Sequence, residues 1–134
     1  MKIKKTKFKD LIVFKSKNYY DKRGLFRELA LKNKIKKKLI FTVVSRSKKN
    51  VLRGLHMQKK FKQGKYVSVL KGKILDVAVD LRTNSKTFGK YHKIILSDTN
   101  CKSLFVPKGF AHGILGLDKE NIIAIAALLI HAAN

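Results

Sequence analysis

Short apolar runs recur along the chain, separated by turns rich in glycine, asparagine and lysine. Leu39-Ile40-Phe41-Thr42-Val43-Val44-Ser45 is β-branched and apolar and predicts a strand. Leu11–Phe14, Lys65–Leu70, Ile74–Leu81, Lys90–Leu96, Lys102–Val106 and Ile114–Leu117 predict further strands. The lysine-rich residues 1–10, with Ile3 and Phe8, predict an edge strand. Asn18–Gly24, Ser47–Asn50, Ser97–Asn100, Pro107–Gly109 and Asp118–Asn121 carry turn chemistry. Lys71-Gly72-Lys73 predicts a tight hairpin between the strands on either side of it. In the second of these, Leu75, Val77, Val79 and Leu81 share one face, the expected core face, and Ile74, Asp76, Ala78 and Asp80 share the other. Leu25–Leu29 reads as a half-buried segment, and Leu31–Lys38 as a basic connection with room for one helical turn. No long stretch has a helical period. Short strands at regular spacing predict an all-β sandwich or jelly roll, one domain over residues 1–134.

Composition narrows the function classes. With 134 residues and 45% hydrophobic residues, the chain is long enough for one core. The formal net charge is +24, yet only five of the 32 basic residues are arginine and the lysines are spread along the chain. Arginine is the usual choice for bidentate phosphate and base recognition. The charge therefore reads as a field that attracts anionic small molecules, and nucleic acid is not the expected partner. A single Cys101 forms no internal disulfide, and no apolar leader follows the basic N-terminus. The longest apolar run, Ile122–Ile130, is too short to span a bilayer. A cytoplasmic protein without membrane contact is expected.

The candidate chemistry centres on Val51-Leu52-Arg53-Gly54-Leu55-His56-Met57-Gln58 and Gln63-Gly64-Lys65. Arg53 and His56 are three apart, so a regular strand would point them opposite ways; Gly54 permits a bend that brings them together. A short connection to Lys65 suits two neighbouring antiparallel strands. One imidazole base and two fixed cations would then share a concave surface, suited to deprotonating an acidic carbon and holding the anion. The plainer reading makes His56 a structural histidine and Lys65 a strand-edge lysine. His112 follows a glycine turn and could face the same interior, whereas His92 reads as part of a solvated strand face. No His-x-His pair is present and no metal site is expected. Arg23, Phe26 and Glu28 offer a cation, an aromatic ring and a carboxylate beside one turn. Asp76 or Asp80 could orient His56, pair with Arg82, or simply be solvated; Asp80 is the candidate orienting carboxylate. Cys101 reads as a small buried residue.

Taken together, Asp21-Lys-Arg-Gly-Leu-Phe-Arg-Glu28, Val51–Gln58, Gln63–Lys65, Asp76-Val-Ala-Val-Asp-Leu-Arg82, Ser85-Lys-Thr-Phe-Gly89 and Val106-Pro-Lys-Gly-Phe-Ala-His-Gly113 resemble the dTDP-4-dehydrorhamnose 3,5-epimerase family in order and spacing, over roughly residues 8–121. The resemblance implies a cupin-type jelly roll, usually a homodimer, that works without metal or organic cofactor on a dTDP-linked 4-keto-6-deoxy sugar in dTDP-rhamnose biosynthesis. It implies His56 as the base that removes a proton beside the ketone, and Lys65 as the cation near the ketone oxygen. It implies Arg23, Glu28, Arg53 and His112 as substrate contacts.

The departures are as specific. Phe41-Thr42-Val43 stands where the family usually carries Gln-x-Asn. Ile122–Asn134 reads as an atypical apolar tail in place of the family's terminal strands, with no tyrosine after Tyr91 to serve as the family's proton donor. The jelly roll is therefore expected to be incomplete at its C-terminal end, lacking the aspartate that pairs with the catalytic histidine. A change of reading frame near Ala124 would account for the break, since codons for Ala-Ile-Ala-Ala-Leu-Leu can be chosen so that another frame reads Tyr-Ser-Cys-Ser-Thr. The alternative function is a jelly roll that binds a nucleotide sugar or a protein partner without turnover.

Overall fold

The β-branched run at 39–44 is extended, as its side chains favour, and lies inside a longer strand. The computed structural model describes residues 1–30, 32–57 and 63–129; Gln58 and the segment 130–134 lie outside the described residues. In chain order the elements are β1 (Lys2–Lys5), β2 (Ile12–Lys15), β3 (Tyr19–Asp21), β4 (Gly24–Phe26), the single helical turn α1 (Lys32–Ile35), β5 (Lys38–Lys48), β6 (Leu52–His56), β7 (Gln63–Lys71), β8 (Lys73–Asp80), β9 (Tyr91–Ser97), β10 (Lys102–Val106), β11 (Phe110–Gly116) and β12 (Glu120–Leu129). A six-stranded sheet runs β1-β2-β10-β7-β12-β5, a four-stranded sheet runs β6-β11-β8-β9, and β3 and β4 form a separate ribbon. The pairings are antiparallel throughout, which gives the expected double-sheet jelly roll.

Alternation along the strands builds two apolar layers. Leu11, Val13, Val67, Ile74, Leu96, Leu104 and Ile123 are buried between the sheets. Their neighbours in sequence, Phe14, Tyr66, Phe105 and Leu128, form a second cluster on the other face of the six-stranded sheet.

Three expectations are corrected here. Lys71-Gly72-Lys73 is not a hairpin: β7 pairs with β10 and β12, while β8 pairs with β11 and β9. The turn is a corner at which the chain leaves one sheet for the other. Gly72 has φ +94°, and a Cβ there would collide with the Glu120 carbonyl and with Asn121. For the same reason β6 and β7 are not neighbours; they belong to opposite sheets. The core face of β8 is also the reverse of that expected. Ile74, Asp76, Ala78 and Asp80 are all buried, and Leu75, Val77 and Val79 are only partly so. Bulk pointed to the leucine and valine side, but the interior of this sandwich has to hold polar groups, and the smaller, carboxylate-bearing side supplies them.

The apolar run from Ile122 is part of the sheet. As far as Leu129 it is β12, held between β5 and β7, with Ile123 and Leu128 buried. Its hydrophobicity is that of a central strand with apolar residues on both faces, Ile123 toward the core and Leu128 toward the second cluster.

Asn121, fully buried, ties the corner together. Its Oδ1 accepts from the backbone N–H of Lys73 (3.0 Å) and Asp118 (3.2 Å). Its Nδ2 donates to the carbonyls of Ser47 (3.1 Å) and Asp118 (2.9 Å). One side chain thus joins β5, the start of β8 and the β11–β12 turn. Asn121→Leu, close in volume, is expected to lower stability by about 2–4 kcal/mol by leaving buried backbone groups unpaired. A urea midpoint shifted down at unchanged slope is the signature; a midpoint within error of the parent would refute the role.

Candidate active site

The site forms where the two sheets meet. β6 is an edge strand and, among the described residues, pairs only with β11. His56 lies opposite His112, but Arg53 lies opposite Ile114, so three steps along β6 match two along β11. This bulge puts Arg53 and His56 on one face, as Gly54 permits. Gly54 has φ +106°, its peptide bond to Leu55 is cis, and a Cβ there would strike the backbone of His112 and Gly113.

His56, from the four-stranded sheet, and Lys65, from the six-stranded sheet, line one shallow hollow with Gln63, Lys108 and His112. The two sequence motifs therefore meet in space, although across the sandwich and not along a hairpin. His56 is exposed, Lys65 half-buried and His112 buried. The His112 Nε2 lies 2.7 Å from Asp76 Oδ2, and Asp76 has no exposed surface. The carboxylate accepts from Nε2–H, so Nδ1 is the ring nitrogen left for a ligand. Arg53 leans away from the hollow: its Nε donates to Ser47 Oγ (2.7 Å) and its Nη2 to the Arg46 carbonyl (3.1 Å).

Asp80 does not orient His56. Its Oδ1 accepts from the Arg82 backbone N–H and Nε, both at 3.0 Å. Its Oδ2 accepts from Arg82 Nη2 (3.1 Å), Ser85 Oγ (2.6 Å) and Thr87 Oγ1. The Arg82 guanidinium in turn lies 4.6 Å from the centroid of Phe110, a residue that lines the hollow. Asp80 thus clamps the 82–90 loop and braces the hollow from behind. The Asp80–Arg82 pairing is one of the three roles the sequence leaves open to it, beside orienting His56 and plain solvation; nothing in the sequence reading points to Asp76 as the residue that holds His112. An aspartate two residues from an apolar residue on each side, Ile74 and Ala78, was the available signal.

Arg23, Phe26 and Glu28 do not line the hollow. Arg23 and Phe26 are exposed on the β3–β4 ribbon, with Arg23 Nη2 2.5 Å from Asp21 Oδ2. His92 is not on a solvated face: it is half-buried, with its ring edge-on to Phe8 at 5.8 Å. Cys101 is buried, as read. Among the described residues no three His, Cys, Asp or Glu side chains come together as metal ligands, and no helix is long and apolar enough to cross a membrane.

Across β12 and β5 the inner face beside Lys65 is apolar. Phe41, Ala127 and Lys65 stand in register across β5, β12 and β7, with Val43, Ile125 and Val67 in the next row. The inner face of β12 thus carries Ile123, Ile125 and Ala127, none of which has a proton to give.

Residues 5–127 match the family model described as dTDP-4-dehydrorhamnose 3,5-epimerase. The chain belongs to the dTDP-4-dehydrorhamnose 3,5-epimerase family. It is 42% identical over 124 residues to the enzyme of that name from Methanothermobacter thermautotrophicus, covering 89% of this chain and 67% of the relative. The Escherichia coli K12 enzyme is 40% identical over 124 residues, covering 87% of this chain and 67% of its own length. The chain thus spans about two thirds of these relatives. The crystal structure of dTDP-6-deoxy-D-glucose-3,5-epimerase from Legionella pneumophila, in complex with dTDP-4-keto-L-rhamnose, superposes with a TM-score of 0.89 at 39% identity, over 97% of this chain and 72% of that one. The fold is accordingly the cupin-type jelly roll of these epimerases. The family match continues to residue 127, six positions past the stretch that the motifs mark out, and so takes in most of β12.

The Asp80 clamp has a pH signature. Burial raises the carboxyl, but the Arg82 guanidinium, the Ser85 and Thr87 hydroxyls and the Arg82 amide outweigh it and hold the group well below the ordinary carboxylate range. A folded-state value below the unfolded one contributes stability that is complete above about pH 4 and is lost as pH falls toward the folded value. Asp80→Asn is expected to be less stable than the parent at pH 7 and to lose less on acidification from pH 5 to pH 2. Parallel stability curves for the two proteins across that window would refute the assignment.

Proposed function

We propose that this chain carries out the first half of the epimerase reaction: proton removal from a carbon beside the ketone of a dTDP-4-dehydro-6-deoxy sugar, in the cytoplasm, toward dTDP-4-dehydro-L-rhamnose. The observation that carries this reading is that His56 and Lys65, far apart in topology, line one hollow. His56 takes the α-proton, the C–H electron pair moves into the ring bond, and the ketone oxygen becomes an enolate. The Lys65 ammonium, set in an otherwise apolar row, meets the negative charge that develops there. His112, fixed through Nε2 by Asp76, offers Nδ1 as an acceptor to a hydroxyl of the sugar. Epimerisation is complete when a proton returns on the opposite ring face. The aliphatic inner face of β12 provides no donor for that return, so solvent has to supply it. Loss of a general acid costs about a hundred- to ten-thousand-fold, and slow turnover follows.

That same observation favours a second reading, a module that holds the nucleotide sugar without turning it over. Incubation of the substrate in deuterated water separates the two. The expected result is slow deuterium uptake, at one carbon before the other, abolished in His56→Asn while ligand binding persists. No uptake above the solvent background, with binding intact, would favour the module; uptake at full family rates at both carbons would refute the missing acid.

We infer that the working form is a homodimer. Among the described residues β5 is bonded on one side only, to β12. It exposes apolar side chains from both faces: Phe41 and Val43 on one, Leu39 (57%) and Val44 (64%) on the other. A long apolar edge of this kind calls for a cover. Arg23, Phe26 and Glu28, absent from their own chain's hollow, would then be available to a second copy's. Sedimentation equilibrium in physiological salt is expected to give a dimer that Val44→Lys weakens at least tenfold. A monomer at all accessible concentrations would end this reading.

A further inference from the structure

The opposite side of the sandwich carries a second, differently built cleft. β1 and β9 are outer strands of the two sheets, remote from β6 and β5 in strand order. Between them lies a groove of about 740 Å³. Lys2, Lys15 and Lys102 face one another directly across β1, β2 and β10. They share the face of the sheet that carries the core residues Val13 and Leu104 two positions away, so the row points into the cleft. Lys4, one step along β1, and Lys7 complete the lysine wall. Lys102 is half-buried.

Like charges directly opposite in a ladder are destabilising. Among the described residues no carboxylate forms an ion pair with Lys2, Lys4, Lys7, Lys15 or Lys102. The wall is thus an uncompensated cluster, unlike the lysine of β7 at 71, which Glu120 meets at 2.9 Å. The far wall, on β9, contributes no lysine to the lining. It consists of Ile94 and His92, with Val13 as floor. Burial pushes the His92 imidazole below its ordinary value, with Lys7 adding to the effect and Asp76 opposing it, so the ring is neutral at pH 7. Phe8 holds it edge-on and its Nδ1 is buried, which leaves Nε2 as the nitrogen a ligand can meet.

We propose that the groove between β1, β2 and β9 is a second ligand site, for a small organic polyphosphate, in which the Lys2–Lys15–Lys102 row binds the phosphates and the flat body lies over Val13, Ile94 and His92. The volume falls in the range of small-molecule sites. Cationic side chains with an adjoining apolar surface are the recognition elements that a nucleoside di- or triphosphate requires. None of the residues of this groove lines the His56 hollow.

Titration of the full chain with ADP, followed by NMR, tests the site. The expected result is shifts at the His92 ring and at Ile94, with affinity reduced at least tenfold in the double variant Lys15→Ala, Lys102→Ala, and unchanged in His56→Asn. The double variant removes opposed charges and is expected to raise Tm in the absence of ligand, so lost binding is not lost folding. A second variant, His92→Leu, is expected to weaken ADP several-fold while leaving inorganic tripolyphosphate unchanged. The proposal is overturned if shifts appear only around His56, if the double variant binds ADP as the parent does, or if a single-stranded oligonucleotide outcompetes ADP at equal phosphate concentration.

Discussion

The Lys71–Lys73 corner is the constraint on which the rest of the molecule depends. If β7 and β8 paired with each other, Lys65 and Asp76 would lie in one sheet and the hollow would not exist. Gly72 leaves no room for a side chain against Glu120 and Asn121, and the Asn121 amide satisfies the backbone of three segments at that point. Each partner strand is then free to find its ladder in a different sheet. Lys65 is carried into the six-stranded sheet, His112 and Asp76 into the four-stranded one, and the two sets of side chains meet only across the interior.

Much of this was legible residue by residue. The run at 39–45 forms β5, the Pro107–Gly109 turn delivers His112, and Gly54 bends β6 as its position between Arg53 and His56 implied. What was not legible has one physical origin. A three-residue glycine turn between two apolar runs has the same local chemistry whether the runs pair with each other or with third strands; the choice is made by β10, β11 and β12, which are distant in sequence. The reversed core face of β8 follows from the same non-locality. Hydrophobic bulk alone favours Leu75, Val77 and Val79, but Asp76 and Asp80 can be buried because His112 on β11 and Arg82 with its loop satisfy them. Those partners lie 36 and between 2 and 7 positions away, and only the second set is visible locally.

The two buried carboxylates do different work with the same chemistry. Asp80 is saturated by donors and acts as a rigid post, through Arg82 and Phe110, behind the hollow. Asp76 uses one oxygen for His112, and its other oxygen, Oδ1, is buried with no partner among the described residues. A saturated carboxylate fixes structure; one with an unused acceptor keeps electrostatic influence over its neighbours. Of the two, the carboxylate whose partner lines the hollow is the less completely bonded.

The apolar character of β12 then separates two properties that are usually inherited together. Folding needs an aliphatic strand between β5 and β7, and Ile123, Ile125 and Ala127 meet that need. Proton return needs a donor on the same inner face, and those residues provide none. On the reading proposed above, binding depends on the hollow's cations and on His112, which β12 does not supply. On that reading the chain keeps the fold, the base and the anion-stabilising lysine while lacking an acid on β12. The proposed enolate would then form beside Lys65 and be quenched by whatever proton reaches it first, so that water access to the open side of the β5–β12–β7 face would set the facial outcome.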